Sequence, residues 1–376
     1  MNLEMFMLKK AALIGVDVGT TAIKMVELAR IKTGLRLEHF AVVPLEAGII
    51  TDGLVTNPEA LRAAIEKCHT KLDSKIKSVA LNIPIESVFI KRLRVSTDIV
   101  QGSIELEVAR QLSSLMSIDI TEIHIDFQIF PDKGLLSAGH AVDVNSSMSE
   151  IGEFRGKDDK VEILAMAAKK DKIEERMSFV EDIGLKAVVV DSDSFSMHTV
   201  LDELYTREGK SIEDKNFALV NVGEHKLTLV VLRNGEAIYT RDADFGMGQL
   251  LSDVVMQYGL TEIGAKQVID GEALPPDGYE ALLSVHVESA TQEVHRSMQL
   301  FMTSTAYVSV EEVYLHGEQC HIQGLSQSIS NSLGVACEVL NPFRGLEISA
   351  SAAKEIAKYA PTLVVACGLA YRRFDL

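Results

Sequence analysis

The chain has 376 residues, 47% of them hydrophobic and 24% charged, with a formal net charge of −17. That length and apolar content suffice for two or more domains with packed cores. The acidic balance argues against nucleic acid or an anionic membrane surface as the main partner, although basic residues do cluster locally, for example at Lys91, Arg92 and Arg94.

No stretch approaches the roughly 18 apolar residues of a membrane span. Lys9 and Lys10 precede an apolar run, as in a signal peptide, but Asp17 interrupts that run and no small-residue cleavage site follows. Cys68, Cys320, Cys337 and Cys367 contain no Cys-x-x-Cys pair. They read as small core residues in a reducing cytoplasm.

In chain order, residues 1–10 form a loose lead, and Leu13–Lys24 reads LIGVDVGTTAIK. A buried strand carries an Asp only when the carboxylate is paired or meets a cation, so Asp17 is expected to face a magnesium shell. Gly19 allows a tight turn that exposes N–H groups, a geometry suited to phosphate. Thr20 and Thr21 add donors. Lys24 either adds positive charge to that turn or, on the strand leaving it, faces solvent. Alternation over Ile23–Leu28 and Leu35–Pro44 predicts a three-stranded meander. Asn57 and Pro58 then start a helix with Leu61, Ala64, Ile65 and Cys68 on one face.

Strands are expected at Ser78–Ile83, Val88–Val95, Ile123–Phe130 and Val161–Ala168, with a helix over Ile104–Met116. His124, Asp126 and Gln128 share the polar face of their strand and read as a solvated face rather than a catalytic dyad. Residues 137–160 lose periodicity and predict an extended hairpin tip. A helix over Lys172–Ile183 closes at Gly184. The strand after it ends at Asp191, and Ser192, Asp193 and Ser194 cap a helix from about Phe195. Asp191 and Asp193 sit at this strand–helix junction and, with Asp17, are the catalytic candidates. Residues 206–215 read as a linker.

Ala218–Leu232, ALVNVGEHKLTLVVL, then repeats the first motif. An ungapped offset sets Asn221 opposite Asp17 and Gly223 opposite Gly19, with Glu224 and His225 in the second turn. Such repetition predicts two similar lobes, each offering a glycine turn to one ligand. Helices follow through Tyr258, from Thr261 and over Leu282–Met302. The last carries Glu293 and Arg296, which read as a surface pair. A strand at Val313–His316 runs into Gly317-Glu318 and on to Gly324, which opens a helix to Leu333. A strand over Val335–Leu340 and a final helix over Thr362–Tyr371 complete the chain.

Three glycine-bearing turns in this order resemble the two phosphate loops and adenosine loop of the actin-like ATPase superfamily. Within it the chain is similar to the PilM family of type IV pilus assembly proteins. The resemblance runs through LIGVDVGTTAIKMVELAR, VVVDSDSFS, FALVNVGEHKLTLVVLRNG, DFGMGQL, EVHRSMQLFMTST, IQGL, CEVLNPF and VACGLAYRRFD, and covers nearly the whole chain.

The resemblance implies an α/β, two-lobed actin-like ATPase fold of duplicated βββαβα lobes. A small α+β subdomain would be inserted in the first lobe. The implied boundaries are 11–76 and 188–213 for the first lobe, 77–187 for the subdomain, 216–350 for the second lobe and 351–376 for a C-terminal return to the first lobe. Asp17, Gly19, Thr20, Thr21, Lys24, Asn221, Gly223, Glu224, His225, Gly317, Glu318 and Gly324 would bind ATP with magnesium.

PilM-like proteins are cytoplasmic. They dock on the N-terminal tail of the inner-membrane protein PilN, and link the membrane platform to the motor. The docking groove is expected on the subdomain and the adjacent first-lobe surface. Two departures weaken the nucleotide site: Asn221 stands where the family carries Asp, and Glu318 where it carries a second glycine. Asn cannot act as a carboxylate toward metal or water, so little ATP turnover is expected. The alternatives are an active ATPase of the superfamily or a division protein like FtsA. The second is disfavoured because the chain stops at Leu376 without a basic amphipathic tail helix.

Overall fold

A computed structural model describes residues 12–51, 53–96, 104–130, 160–269, 271–273 and 279–374. The N-terminal lead and the polar tip at 137–159 lie outside the described residues.

The first lobe opens with the predicted meander. Strand β1 (Ile14–Val18) pairs antiparallel with β2 (Ala22–Ile31), and β2 with β3 (Gly34–Pro44). Every residue of β1 is buried, as for a strand covered on both faces. A small ladder, β4 (Ile50–Thr51) with β5 (Leu54–Val55), leads to α1 (Pro58–Leu72). The Asn57 side chain accepts the Ala60 N–H, and Pro58 takes the first helical position, where no amide donor is needed. Leu61, Ile65, Cys68 and Leu72 are the buried stripe of this helix. Strand β6 (Ser78–Ile83) runs parallel to β1.

Residues 83–183 form a compact unit of their own. It contains β7 (Val88–Ser96), α2 (Ile104–Met116), β8 (Ile123–Phe130), β9 (Lys160–Lys169) and α3 (Lys170–Glu181). The strands pair antiparallel in the order β7-β9-β8. One sheet face, with Leu93, Val95, Ile123, Ile163, Ala165 and Ala167, forms a core with Val108 and Leu112 of α2. His124, Asp126 and Gln128 are exposed, so this strand carries a solvated polar face.

Strand β10 (Lys186–Ser192) rejoins the first sheet, and α4 (Asp193–Arg207) follows directly. The helix begins at Asp193, earlier than expected. Ser192 is the cap, its Oγ accepting the Ser194 N–H at 3.3 Å, while Asp193 lies inside the first turn, where the helix dipole favours an anion. The linker expected over 206–215 starts later, because α4 continues to Arg207; the connection to β11 then buries Ile212.

The second lobe repeats the design. Strands β11 (Phe217–Val222), β12 (Leu227–Arg233) and β13 (Glu236–Ala243) form a second meander. Helices α5 (Met247–Tyr258), α6 (Glu262–Ile269) and α7 (Tyr279–Ser304) precede β14 (Glu312–His316), which lies parallel to β11. Helix α8 (Leu325–Leu333) leads to β15 (Cys337–Val339), shorter than the predicted 335–340. Strand β16 (Glu347–Ile348) adds to β3, and α9 (Val364–Tyr371) returns to the first lobe.

The sheet orders make the duplication explicit. The first sheet reads β10-β6-β1-β2-β3-β16 and the second β13-β12-β11-β14-β15. Read backwards, the second repeats the first strand for strand, apart from the added β16. Helix α9 lies tight against this frame, because Gly15 of β1 meets the backbone at Ala366 and Ala370, and Gly368 meets the backbone of Ser196 in α4. Among the described residues no helix is long and apolar enough to cross a membrane.

Candidate functional site

Strand register builds two polar rows, one in each lobe. In the first, Asp17 of β1 stands directly opposite Lys24 of β2, and the β1–β6 pairing, ending at Val16 with Leu81, puts Asn82 on the other side of Asp17. In the second, Asn221 of β11 stands opposite Thr228 of β12 and His316 of β14, and Thr228 opposite Asp242 of β13. Side chains directly opposite in neighbouring strands share a face. Asp17 thus corresponds to Asn221, Lys24 to Thr228 and Asn82 to His316.

The two turns match as well. Gly19 donates its N–H to Ala22 O at 3.1 Å, and Gly223 to Lys226 O at 2.8 Å. Each turn ends its lobe's first hairpin with the polar row just beneath it.

In the first row, Asp17 is buried, and Lys24 Nζ donates to its Oδ2 at 3.2 Å. Lys24 therefore does not face solvent: its position opposite Asp17 aims it along the shared sheet face, where the carboxylate offsets its desolvation. Burial alone would depress the Lys24 ammonium. The charges of Asp17 and Glu318, the Asp17 hydrogen bond and Asp193 outweigh that and leave it above the ordinary lysine value.

Asn82 closes the row from the other side. Its Oδ1 accepts the Val18 N–H at 2.8 Å, and its Nδ2 donates to Asp193 Oδ1 at 3.0 Å. The start of α4 is thereby tied to the strand that carries the turn. Thr20 and Thr21 are exposed at the tip.

Asp191 belongs to a different arrangement. It is buried, and Arg372 reaches its Oδ2 through Nε and Nη2, each at 2.7 Å. Its other oxygen accepts the Ser192 N–H at 2.8 Å. The carboxylate clamps the chain end that follows α9. The sequence expected a catalytic carboxylate at this junction; the contacts present tie Asp191 to Arg372 and to the start of α4.

In the second lobe, Gly317 holds φ +90°, and a Cβ there would lie 2.0 Å from Asn221 Oδ1, so only glycine lets the third turn close on the Asn221 amide. The Gly317 N–H donates to Pro361 O at 3.0 Å. The second turn is braced from behind: Met247 N–H donates to Gly223 O at 3.1 Å, and Gly248 N–H to Glu224 O at 2.8 Å. The first amides of α5 are spent there, while the Glu224 and His225 side chains are 57% and 81% exposed.

Thr228 Oγ1 donates to Asp242 Oδ1 at 2.8 Å, which ties the second row to β13. Gly324 starts α8 at φ +83°, with open space where a side chain would stand. Glu293 and Arg296 approach to 3.9 Å along α7, and Arg296 is 67% exposed, as for a surface pair.

Sequence reading missed Asn82, His316 and Asp242. The signal for the first two was of the kind that marked Asp17: a polar residue at the end of an apolar strand, just before Pro84 or Gly317. Desolvation, with the nearby Lys24 charge added, holds the His316 imidazole down to about 4, so it is neutral at physiological pH.

The lobes meet over this site. Thr21 Oγ1 of the first turn donates to Glu318 Oε1 of the third turn at 3.0 Å. Farther along β14, Tyr205 OH of α4 donates to Glu312 Oε2 at 2.8 Å, and Tyr314 OH to Tyr205 OH at 3.2 Å.

Two duplicated lobes, each joining the first two strands of a β-meander by a glycine turn over a polar row, define an actin-like ATPase fold. Three solved structures share it. The PilM–PilN type IV pilus biogenesis complex aligns with a TM-score of 0.69 at 20% identity, over 97% of this chain and 99% of that one. The ethanolamine utilization protein EutJ from Carboxydothermus hydrogenoformans aligns at 0.50 and 14%, over 95% and 88%. The diol dehydratase-reactivating factor in nucleotide-free form aligns at 0.51 and 10%, over 97% and 100%. The sequence profile of the type IV pilus assembly protein PilM family matches residues 15–138 and 139–374. The chain belongs to that family.

Proposed function

We propose that this protein is a nucleotide-responsive scaffold of type IV pilus assembly. It binds magnesium-ATP between its two glycine turns and docks on the cytoplasmic N-terminal tail of PilN. It is thereby held at the inner membrane through that partner and coupled to the motor. The family match along nearly the whole chain carries the pilus role. The paired rows beneath the two turns support the nucleotide reading.

The residues fit a metal–nucleotide complex better than a free metal ion. No group of three or more His, Cys, Asp or Glu that could hold a metal occurs among the described residues. Asp17 supplies one carboxylate, which suits magnesium, an ion that keeps several waters and takes its other ligands from phosphates. Gly19, Thr20 and Thr21 would bind and orient phosphate, with the Lys24 charge beneath. Asn221 would accept or donate a hydrogen bond, but it supplies no base for an attacking water. The cleft therefore senses nucleotide with little turnover, and lobe closure is the change passed to the partner.

The test is titration of the purified protein with a peptide copying the tail of the PilN encoded beside it, with and without magnesium-ATP. Binding that tightens with nucleotide supports the reading. Absence of peptide binding in both conditions, with a functional control peptide, removes the adaptor role.

A further inference from the structure

Glu318 is placed where it can do what a phosphate would do. Its carboxylate accepts the Thr21 hydroxyl at 3.0 Å, from the opposite lobe and over the tip of the first turn. It is also the second charge, after Asp17, that pushes the Lys24 pKa up against burial. Thr21 and Lys24 are the donor and the cation available to an anion at that turn. The backbone directs Glu318 there: the close approach to Asn221 leaves no room for a side chain at Gly317, and the Gly317 N–H donates to Pro361 O at 3.0 Å, while Glu318 itself is exposed.

We propose that Glu318 is an internal anion for the first-lobe turn. Without ligand, its carboxylate occupies the Thr21 hydroxyl and the field of Lys24, and a ligand enters only by displacing it. This inference rests on the nucleotide reading above and adds what a ligand must displace to enter. A nucleoside brings nothing to exchange for the carboxylate. A monophosphate brings one weakly chelating group and leaves a displaced carboxylate beside it. A polyphosphate with a bound divalent cation brings several acceptors, with its charge offset. The site therefore selects a metal-bound nucleoside polyphosphate, and Glu318 sets the threshold. Because the Thr21–Glu318 bond joins the lobes, its displacement also frees them to readjust around the ligand.

The experiment compares wild type with Glu318→Gln, which removes the charge, and Glu318→Ala, which removes the acceptor as well. ATP with magnesium and adenosine are titrated into each by calorimetry. Amide exchange at residues 19–22 and 317–319 is measured on the nucleotide-free proteins. The expected result is ATP affinity at least fivefold tighter in both variants, unchanged adenosine affinity, and faster exchange of both turns in Glu318→Ala. Equal ATP affinity in wild type and both variants would overturn the inference while leaving nucleotide binding intact. Unchanged exchange in Glu318→Ala would overturn it as well. Absence of ATP binding in all three proteins is a different result: it rejects the nucleotide reading, and the inference with it.

Discussion

Lys24 Nζ lies 3.2 Å from Asp17 Oδ2, with the two side chains only 13% and 9% exposed. They stand opposite one another on the first hairpin, and the second hairpin carries Asn221 and Thr228 at the matching positions. The duplicated frame thus holds an ion pair in one lobe and a neutral pair in the other.

Removing either member of the ion pair leaves a buried charge uncompensated, which typically costs about 3 kcal/mol or more. Lys24→Met and Asp17→Ala are each expected to lower the unfolding free energy from urea titration by that order, and the double variant by less than their sum. Asp17→Ala should also abolish ATP binding; unchanged titration would reject the assignment of Asp17 to the site. The lysine pKa is raised in the folded state. Its stabilisation is therefore complete at neutral pH and is lost only as pH rises past the ordinary lysine range, so the Lys24→Met deficit should be flat from pH 6 to 9.

His316 carries the opposite sign. Its folded pKa is lowered to about 4 from an ordinary 6.5, so the unfolded chain takes up the proton first. Stability from this group is full above the unfolded value and is lost as pH falls through the window between the two. The slope is at most about 1.4 kcal/mol per pH unit. His316→Asn should flatten the stability profile in that window relative to wild type. Parallel profiles for the two proteins would show that His316 titrates normally.

Asp191 and Asp193, two residues apart, should separate cleanly. Asp191→Asn weakens the Arg372 clamp and is expected to cost about 2 kcal/mol of stability, with ATP affinity unchanged within twofold. Asp193→Ala loosens Asn82, which holds the Val18 N–H beneath the first turn, and is expected to weaken ATP binding severalfold. The reverse outcome would return Asp191 to the site.

Gly15→Ala would drive a Cβ to 2.0 Å from Ala366 O and 2.6 Å from Ala370 N. These are backbone atoms of a buried helix, so the sheet or α9 must move, at an expected cost of about 3 kcal/mol. Gly264→Ala, inside α6 with its nearest neighbour at 3.5 Å, should instead stabilise by about 0.5–1 kcal/mol. Thermal midpoints of the two variants check both signs.

Sequence alone determined the local elements and the family. Strand and helix periods, the Asn57-Pro58 start, glycines at turn spacing and the offset that sets Asn221 against Asp17 all lie within a few residues or in one repeat. Near-neighbour sterics and face-to-face burial write such features directly into the chain. Only the tertiary structure decided which polar groups meet. Lys24 turned inward because hairpin register put it opposite Asp17, and Asp191 went to Arg372 because α9 returns beside β1. Ile212 is buried within a polar stretch. Thr21 reached Glu318, 297 positions away. These pairings depend on strand register and on chain returns that come from packing the whole lobe, and no local pattern of residues encodes them.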